Sequence, residues 1–204
     1  MDSTPVWLFP IDSKPYGISY GGWTAKWWQW LLSIPKLNNP VLDSTGNKAA
    51  MNQYERKVFF LCQTLDTAKL SASVRPVRNV SIQAGTSILM PVINWVSVLH
   101  EDGETEQELA SVATAKMNVV SRLEVTINGV EIKKGLERYR VRSPLFSAVL
   151  PEDNVLHMPS GWRQFISEGY WLFFVSLKQN TKISTYGSCS SGVNRFLVEY
   201  DIST

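Results

Sequence analysis

The chain has 204 residues, 44% hydrophobic and 19% charged. That is enough apolar surface for one sizeable core, and the composition excludes a disordered or collagen-like chain. Twenty Lys and Arg against eighteen Asp and Glu leave a formal net charge of +2, too balanced for a protein that works by neutralising nucleic-acid phosphates, so nucleic acid is not expected as a partner.

Residues 1–22 carry Pro5, Pro10, Pro15, Gly17, Gly21 and Gly22 and read as an irregular N-terminal arm, because Pro and Gly punctuate regular structure. From there the pattern changes. Trp23, Trp27, Trp30, Leu31 and Ile34 recur at helical spacing up to Pro35, which predicts a helix over 23–34. Trp28 and Leu32 widen its apolar surface beyond one stripe, so the helix is expected either clamped between body and arm or meeting a second chain. The second arrangement makes Trp23, Trp27, Trp28 and Trp30 the candidate interface of a homo-oligomer.

Further on, Lys57 to Thr64 reads as a buried strand, Val80 and Ile82 alternate with polar neighbours, and Ser87 to Leu99 is a long apolar run. Pro91 cannot donate to a ladder, so an edge strand, or two strands joined at a bend, is expected there. Thr105 and Glu108 form a capping box ahead of Leu109, Val112, Ala113, Met117, Val119, Val120 and Leu123, which predicts a second helix over 105–123. Glu124 to Ile127, Asn128-Gly129 and Val130 to Lys133 read as a β-hairpin with a two-residue turn. Arg138 to Arg142 alternates, Tyr170 to Leu177 is largely apolar, Thr181 to Tyr186 is a short strand, and Phe196, Val198, Tyr200 and Ile202 face one way. Many short strands, mostly without crossover helices between them, imply antiparallel pairing. The predicted fold is mainly β: an antiparallel jelly-roll-like β-sandwich with two helices, one domain over 23–204.

Together, Tyr16 to Trp23 (YGISYGGW) running into Trp27-Trp28-Gln29-Trp30, the PVLDSTG stretch at 40–46, the segment from Ala84 to Trp95 and Ser167 to Phe173 resemble a family of uncharacterised prokaryotic proteins. The resemblance covers nearly the whole chain and brings no activity with it. Asn180 to Ser184 departs from the Gly-x-His-x-Ile pattern of that family, so no histidine role is carried over there.

The chemistry-bearing residues are sparse. Cys62 and Cys189 are the two cysteines, with no CxxC and no nearby histidine pair, which excludes a zinc finger and favours two small buried side chains. No metal and no cofactor are expected. His100, Glu101, Asp102 and Glu104 read as the acidic turn ahead of the second helix. Ser19 completes a GxSxG string, but it follows Lys14-Pro15-Tyr16 rather than the buried strand a nucleophile elbow requires. No basic stretch followed by an apolar one occurs in Met1 to Tyr20 and no run approaches a membrane span, so the chain reads as soluble, with its compartment open.

Trp162 and Arg163, in a Pro-Ser-Gly-Trp-Arg loop, are candidate ligand-binding residues together with Tyr170, since loops on rigid sandwiches carry recognition and indole faces stack on sugar rings. Arg138, Arg140 and Arg142 are expected along one face of one strand, either holding acidic groups of a ligand or paired with acids across the next strand. The functional reading is a non-catalytic binding or assembly module for a glycan or protein partner. Its rival is a carbohydrate-active hydrolase or lyase using Glu152, Asp153 or Glu168, for which no recognisable carboxylate spacing is present.

Overall fold

The computed structural model describes residues 7–63, 76–132, 134–177, 180–190 and 195–204. Thr64 and Lys133, the expected ends of two strands, and residues 1–6 of the arm lie outside the described residues. The first regular element is a helix, α1, over Tyr20–Leu32. It starts three residues before the expected boundary because the Ser19 side chain accepts the Gly22 N–H as N-cap, satisfying a donor that a helix start leaves open. The glycine pair is part of the helix for a steric reason: a Cβ on Gly21 would lie 2.5 Å from the Arg142 carbonyl oxygen. Ser19 of the GxSxG string is thus a helix cap.

The strands are β1 Val58–Phe60, β2 Val77–Ser81, β3 Ser87–Val98, β4 Val120–Ile127, β5 Val130–Glu131, β6 Arg140–Arg142, β7 Phe146–Leu150, β8 Gly161–Phe174, β9 Thr181–Cys189 and β10 Arg195–Ser203. They form two five-stranded sheets. One has the order β1-β3-β8-β6 with β7 also on β8, and the other β2-β10-β9-β4-β5. The fold is a β-sandwich with two helices, and most pairings are antiparallel. Two depart from that expectation, since β1 with β3 and β2 with β10 run parallel.

Period-two alternation along β8 assigns its neighbours to two faces. Trp171 and Phe173 meet α1 through Trp27 and Trp23, with ring centroids 5.2 and 5.6 Å apart. Ile166, of opposite parity, clusters with Leu109 and Ala113 of the second helix, α2, Glu106–Asn118. Gly187 of β9 lies against Ile93 of β3, and Ile93 is opposite Tyr170 in the ladder, so the second sheet shares the α2 face. The sheet of β8 is therefore sandwiched, with α1 on one side and α2 beside the second sheet on the other.

Several expectations are corrected. The capping box of Thr105 and Glu108 opens α2, but the helix ends at Asn118, because Val120 to Ile127 alternate and pair with β9. Leu123 sits on that strand. Pro91 neither breaks β3 nor divides it: the strand bulges between Pro91 and Ile93 against β8. Ser87 donates to Lys57 across from β1, so the nitrogen of Pro91, four residues on, faces the same flank beyond the last β1 pair at Leu89, where no ladder bond is needed. The Asn128-Gly129 hairpin is present with φ of 50° and 80°, both in the region a tight two-residue turn demands. Arg138 leaves the expected arginine row, because Leu136 to Tyr139 form a 3-10 turn and the strand begins at Arg140. Both cysteines are free and buried.

The four tryptophans of α1 are not an exposed interface. Trp23, Trp27, Trp28 and Trp30 are buried within the chain, because residues 35–63 wrap the helix face that the sheet does not cover, with Asn39 donating to the Leu31 and Ile34 carbonyls at its end. Among the described residues, no helix is long and apolar enough to cross a membrane. Trp23→Ala is expected to lower unfolding stability by about 3 to 5 kcal/mol, as for other buried large-to-small changes. Trp162→Ala, at a residue 62% exposed, is expected to change it by under about 0.5 kcal/mol. Urea midpoints of the two variants check this.

Candidate functional site

The sequence-selected residues fall into separate places. Trp162 and Arg163 are neighbours on β8, so their side chains leave opposite faces of the strand. Trp162 is exposed opposite Val149, itself exposed. Glu168 stands six positions farther along, about 20 Å at the rise of a strand. Tyr170 is opposite Arg140 in the ladder. These side chains do not converge on one pocket. Glu152 and Asp153 are exposed on the loop between β7 and β8, where Asp153 lies 3.8 Å from Lys36 Nζ.

Glu168 is buried and anchors a polar cluster. Its carboxylate accepts from Arg140 Nε at 2.6 Å, Arg142 Nε at 3.0 Å and Thr114 Oγ1 at 2.7 Å, while Arg140 also donates to the Thr114 carbonyl. This is cross-strand pairing of the arginines with an acid, tying α2 to β6 and β8. Burial pushes the Glu168 carboxyl upward, but the bonds from Thr114, Arg142 and Arg140 outweigh it and hold the group below the usual carboxylate range. A carboxylate so held is a poor proton donor, and its bonds give it a structural role. His100 pairs with Glu104 in an exposed turn, and Asp102 accepts the Val98 N–H.

A site that sequence reasoning missed lies between α1 and β3. A cavity of about 190 Å³ is lined by Trp27, Trp28 and Leu31 of α1, Asn94 to Val96 of β3, and residues from four other segments, among them Val155 and Phe196. Its volume exceeds the roughly 150 Å³ of an engineered cavity that holds benzene and falls short of the roughly 300 Å³ at which drug-sized sites begin. A single ring with a short substituent matches that space.

On the cavity wall, two buried donors lack the acceptors that their counterparts on α1 and in the loops find. On α1, the Trp23, Trp27 and Trp30 indoles each donate to a carbonyl, of Pro15, Leu61 and Met51, all at 2.8 Å. Trp28 Nε1 has no partner. The buried amides of Asn39 and Asn154 each donate to two carbonyls, whereas Asn94 Nδ2 has none, and Trp95 Nε1 has none either. Two unpartnered N–H groups, of Trp28 and Asn94, thus belong to residues lining one apolar cavity, whereas Trp95, opposite Glu168 in the ladder, turns its ring to the α2 face and Lys116. Other unpartnered buried atoms, such as Trp171 Nε1, Ser97 Oγ and Thr185 Oγ1, are not among the residues lining it. Leaving a buried donor without an acceptor costs about 1 to 3 kcal/mol, so the cluster calls for an acceptor. The sequence held one hint: Asn94 is a lone amide in the run Ile88 to Val96.

No protein-family model matches the chain and no curated protein does. Among solved structures, the solution structure of amebosin aligns over 62% of this chain and 89% of that one at 10% identity, with a TM-score of 0.18. That likeness is too slight to bear on fold or function.

Glu168→Gln is expected to cost about 2 to 3 kcal/mol near neutral pH, less than a fully buried pair would lose because Arg142 is half-exposed and screened. A carboxyl lowered on folding stabilises at pH above its unfolded value of about 4.3, and the benefit disappears as pH falls through the folded value. Urea midpoints of wild type and variant should therefore draw together below about pH 4. A gap independent of pH would contradict the assigned role.

Proposed function

We propose that the protein is a non-catalytic binding module for a small, largely apolar molecule carrying hydrogen-bond acceptors, held in the cavity between α1 and β3. The observation that carries this reading is the meeting of two unpartnered donors, from Trp28 and Asn94, on residues that line one apolar cavity. The indoles and Leu31 bury the apolar body, and the N–H groups orient an acceptor, which is how small-molecule sites combine affinity with specificity. Only N–H groups are left unpaired there, so an apolar molecule without an acceptor forfeits their bonds. The reading needs no second copy of the chain, and the burial of the α1 rings removes the support that helix gave to a homo-oligomer.

A second reading, recognition of a neutral or acidic saccharide, is supported by Trp162, whose exposed ring stands beside Val149 at the start of β8. It concerns a different surface, and one experiment separates the two.

Thermal unfolding with acetophenone, with ethylbenzene and with a saccharide panel tests both readings. Acetophenone is expected to raise the Tm, by about 2.7 kcal/mol of stabilisation at a hundredfold excess over Kd. It should bind more tightly than ethylbenzene, which has no acceptor. Leu31→Trp, which fills the cavity, should abolish the effect, and Trp28→Phe, which keeps an aromatic ring but removes the N–H, should narrow the gap between the two compounds. No response to either compound, or an undiminished response in Leu31→Trp, would overturn the cavity reading. A saccharide response that Trp162→Ala removes would move the function to the β8 surface.

A further inference from the structure

The rings of α1 repeat the pattern of its N–H groups. Trp23 meets the rings of Tyr16, Phe60 and Phe173, Trp30 meets Phe60, and Trp27 meets Trp30 and Trp171. Trp28 meets Trp27 and no other ring among the described residues. It is buried all the same, and it lines the cavity. The indole of α1 that lacks an acceptor for its N–H is thus also the one short of aromatic neighbours.

Trp27 and Trp28, both on the cavity wall, stand at right angles. Their ring centroids are 5.0 Å apart and their planes cross at 87°. Trp27 is locked there by its bond to the Leu61 carbonyl at 2.8 Å and by the Trp171 ring, 5.2 Å away, so one wall of the corner is fixed before a ligand arrives. A planar ring laid parallel to one indole is perpendicular to the other. It stacks on the first and meets the second edge to face, the two arrangements that aromatic quadrupoles favour. A saturated ring fills the same volume without a quadrupole to match. Two aromatic contacts of ordinary strength together favour the planar ring by at least about fivefold.

Resting on the cavity reading above, we propose that the apolar body of the ligand is an aromatic ring seated in the corner between Trp27 and Trp28. The ligand class is an aryl compound with a hydrogen-bond acceptor beside the ring, not an alicyclic or straight-chain one. Its ring supplies the aromatic neighbour that Trp28 lacks, and its acceptor serves the Trp28 and Asn94 N–H groups. Trp28 then sets specificity twice, since its ring selects the body and its N–H selects the acceptor.

Isothermal titration of acetophenone and of cyclohexyl methyl ketone tests this, because the two carry the same acceptor on a flat and on a puckered ring. Acetophenone is expected to bind the wild type at least about fivefold more tightly. Trp28→Leu should cut that preference by at least about twofold, whereas Trp28→Phe, which keeps an aromatic ring, should hold it. Trp28→Leu removes a buried ring, so a measurement on the wild type stands beside it. Nuclear Overhauser contacts from the ring protons of bound acetophenone should reach both the Trp27 and the Trp28 rings. Equal affinity for the two ketones, or a preference undiminished in folded Trp28→Leu, overturns the aromatic assignment and leaves the cavity reading standing. Binding of neither ketone, or bound acetophenone in contact with neither indole, overturns both.

Discussion

Three indole N–H groups of α1 reach backbone carbonyls in three different segments, and the rest of the architecture is arranged around that requirement. Trp23 finds Pro15 in the arm before the helix, Trp30 finds Met51, and Trp27 finds Leu61 just past β1. An indole buried without an acceptor is costly, and the stretch from Pro35 to Gln63 follows a path that presents the Met51 and Leu61 carbonyls. The same path closes the helix face that the sheet leaves open, and Asn39 fastens it to the last turn. Gly21 lets the helix approach the Arg142 backbone, and Tyr20 accepts the Phe173 N–H through its hydroxyl. A helix with four buried tryptophans becomes a pillar inside one chain.

Trp28 is the exception, and the candidate function follows from it. The wrapping segment that serves Trp27 and Trp30 supplies no acceptor to Trp28, and β3 adds Asn94 in the same condition. Asn94 is opposite Gly169 in the ladder, and a Cβ on Gly169 would lie 2.5 Å from Asn94 Cβ, so the glycine leaves room for the amide. Two donors left open at one cavity cost about 1 to 3 kcal/mol each. The other three indoles of α1 and the amides of Asn39 and Asn154 all find acceptors, and at Trp28 and Asn94 a ligand can supply the one that is missing.

Much of the local structure was legible in the sequence. The capping box at Thr105 and Glu108, the Asn128-Gly129 turn and the helical recurrence of Trp23, Trp27 and Trp30 each rest on a contact within a few residues, and each is present. What failed depended on partners far along the chain. Leu123 fits the helical period, but pairing with β9 claims it for a strand. Arg138 fits the strand alternation, but Gly135 at φ 87° opens a 3-10 turn that displaces it. Trp28 reads as surplus apolar surface in sequence, whereas its ring is covered by residues remote from it. The cavity itself draws on α1, β3, β10 and three irregular segments, and no local pattern encodes that meeting. The arginine row was half legible, since Arg140 and Arg142 meet Glu168 on the adjacent strand.

The central claim is that the indoles of α1 divide into three the fold has satisfied and one, of Trp28, held open for a ligand. Proton–nitrogen correlation spectra of the indole groups measure that division directly. On saturation with acetophenone, the Trp28 signal should move downfield and exchange more slowly with solvent, while those of Trp23, Trp27 and Trp30 keep their positions. A Trp28 signal that stays fixed at every ligand concentration, or that moves no more than those of Trp23, Trp27 and Trp30, would contradict the account.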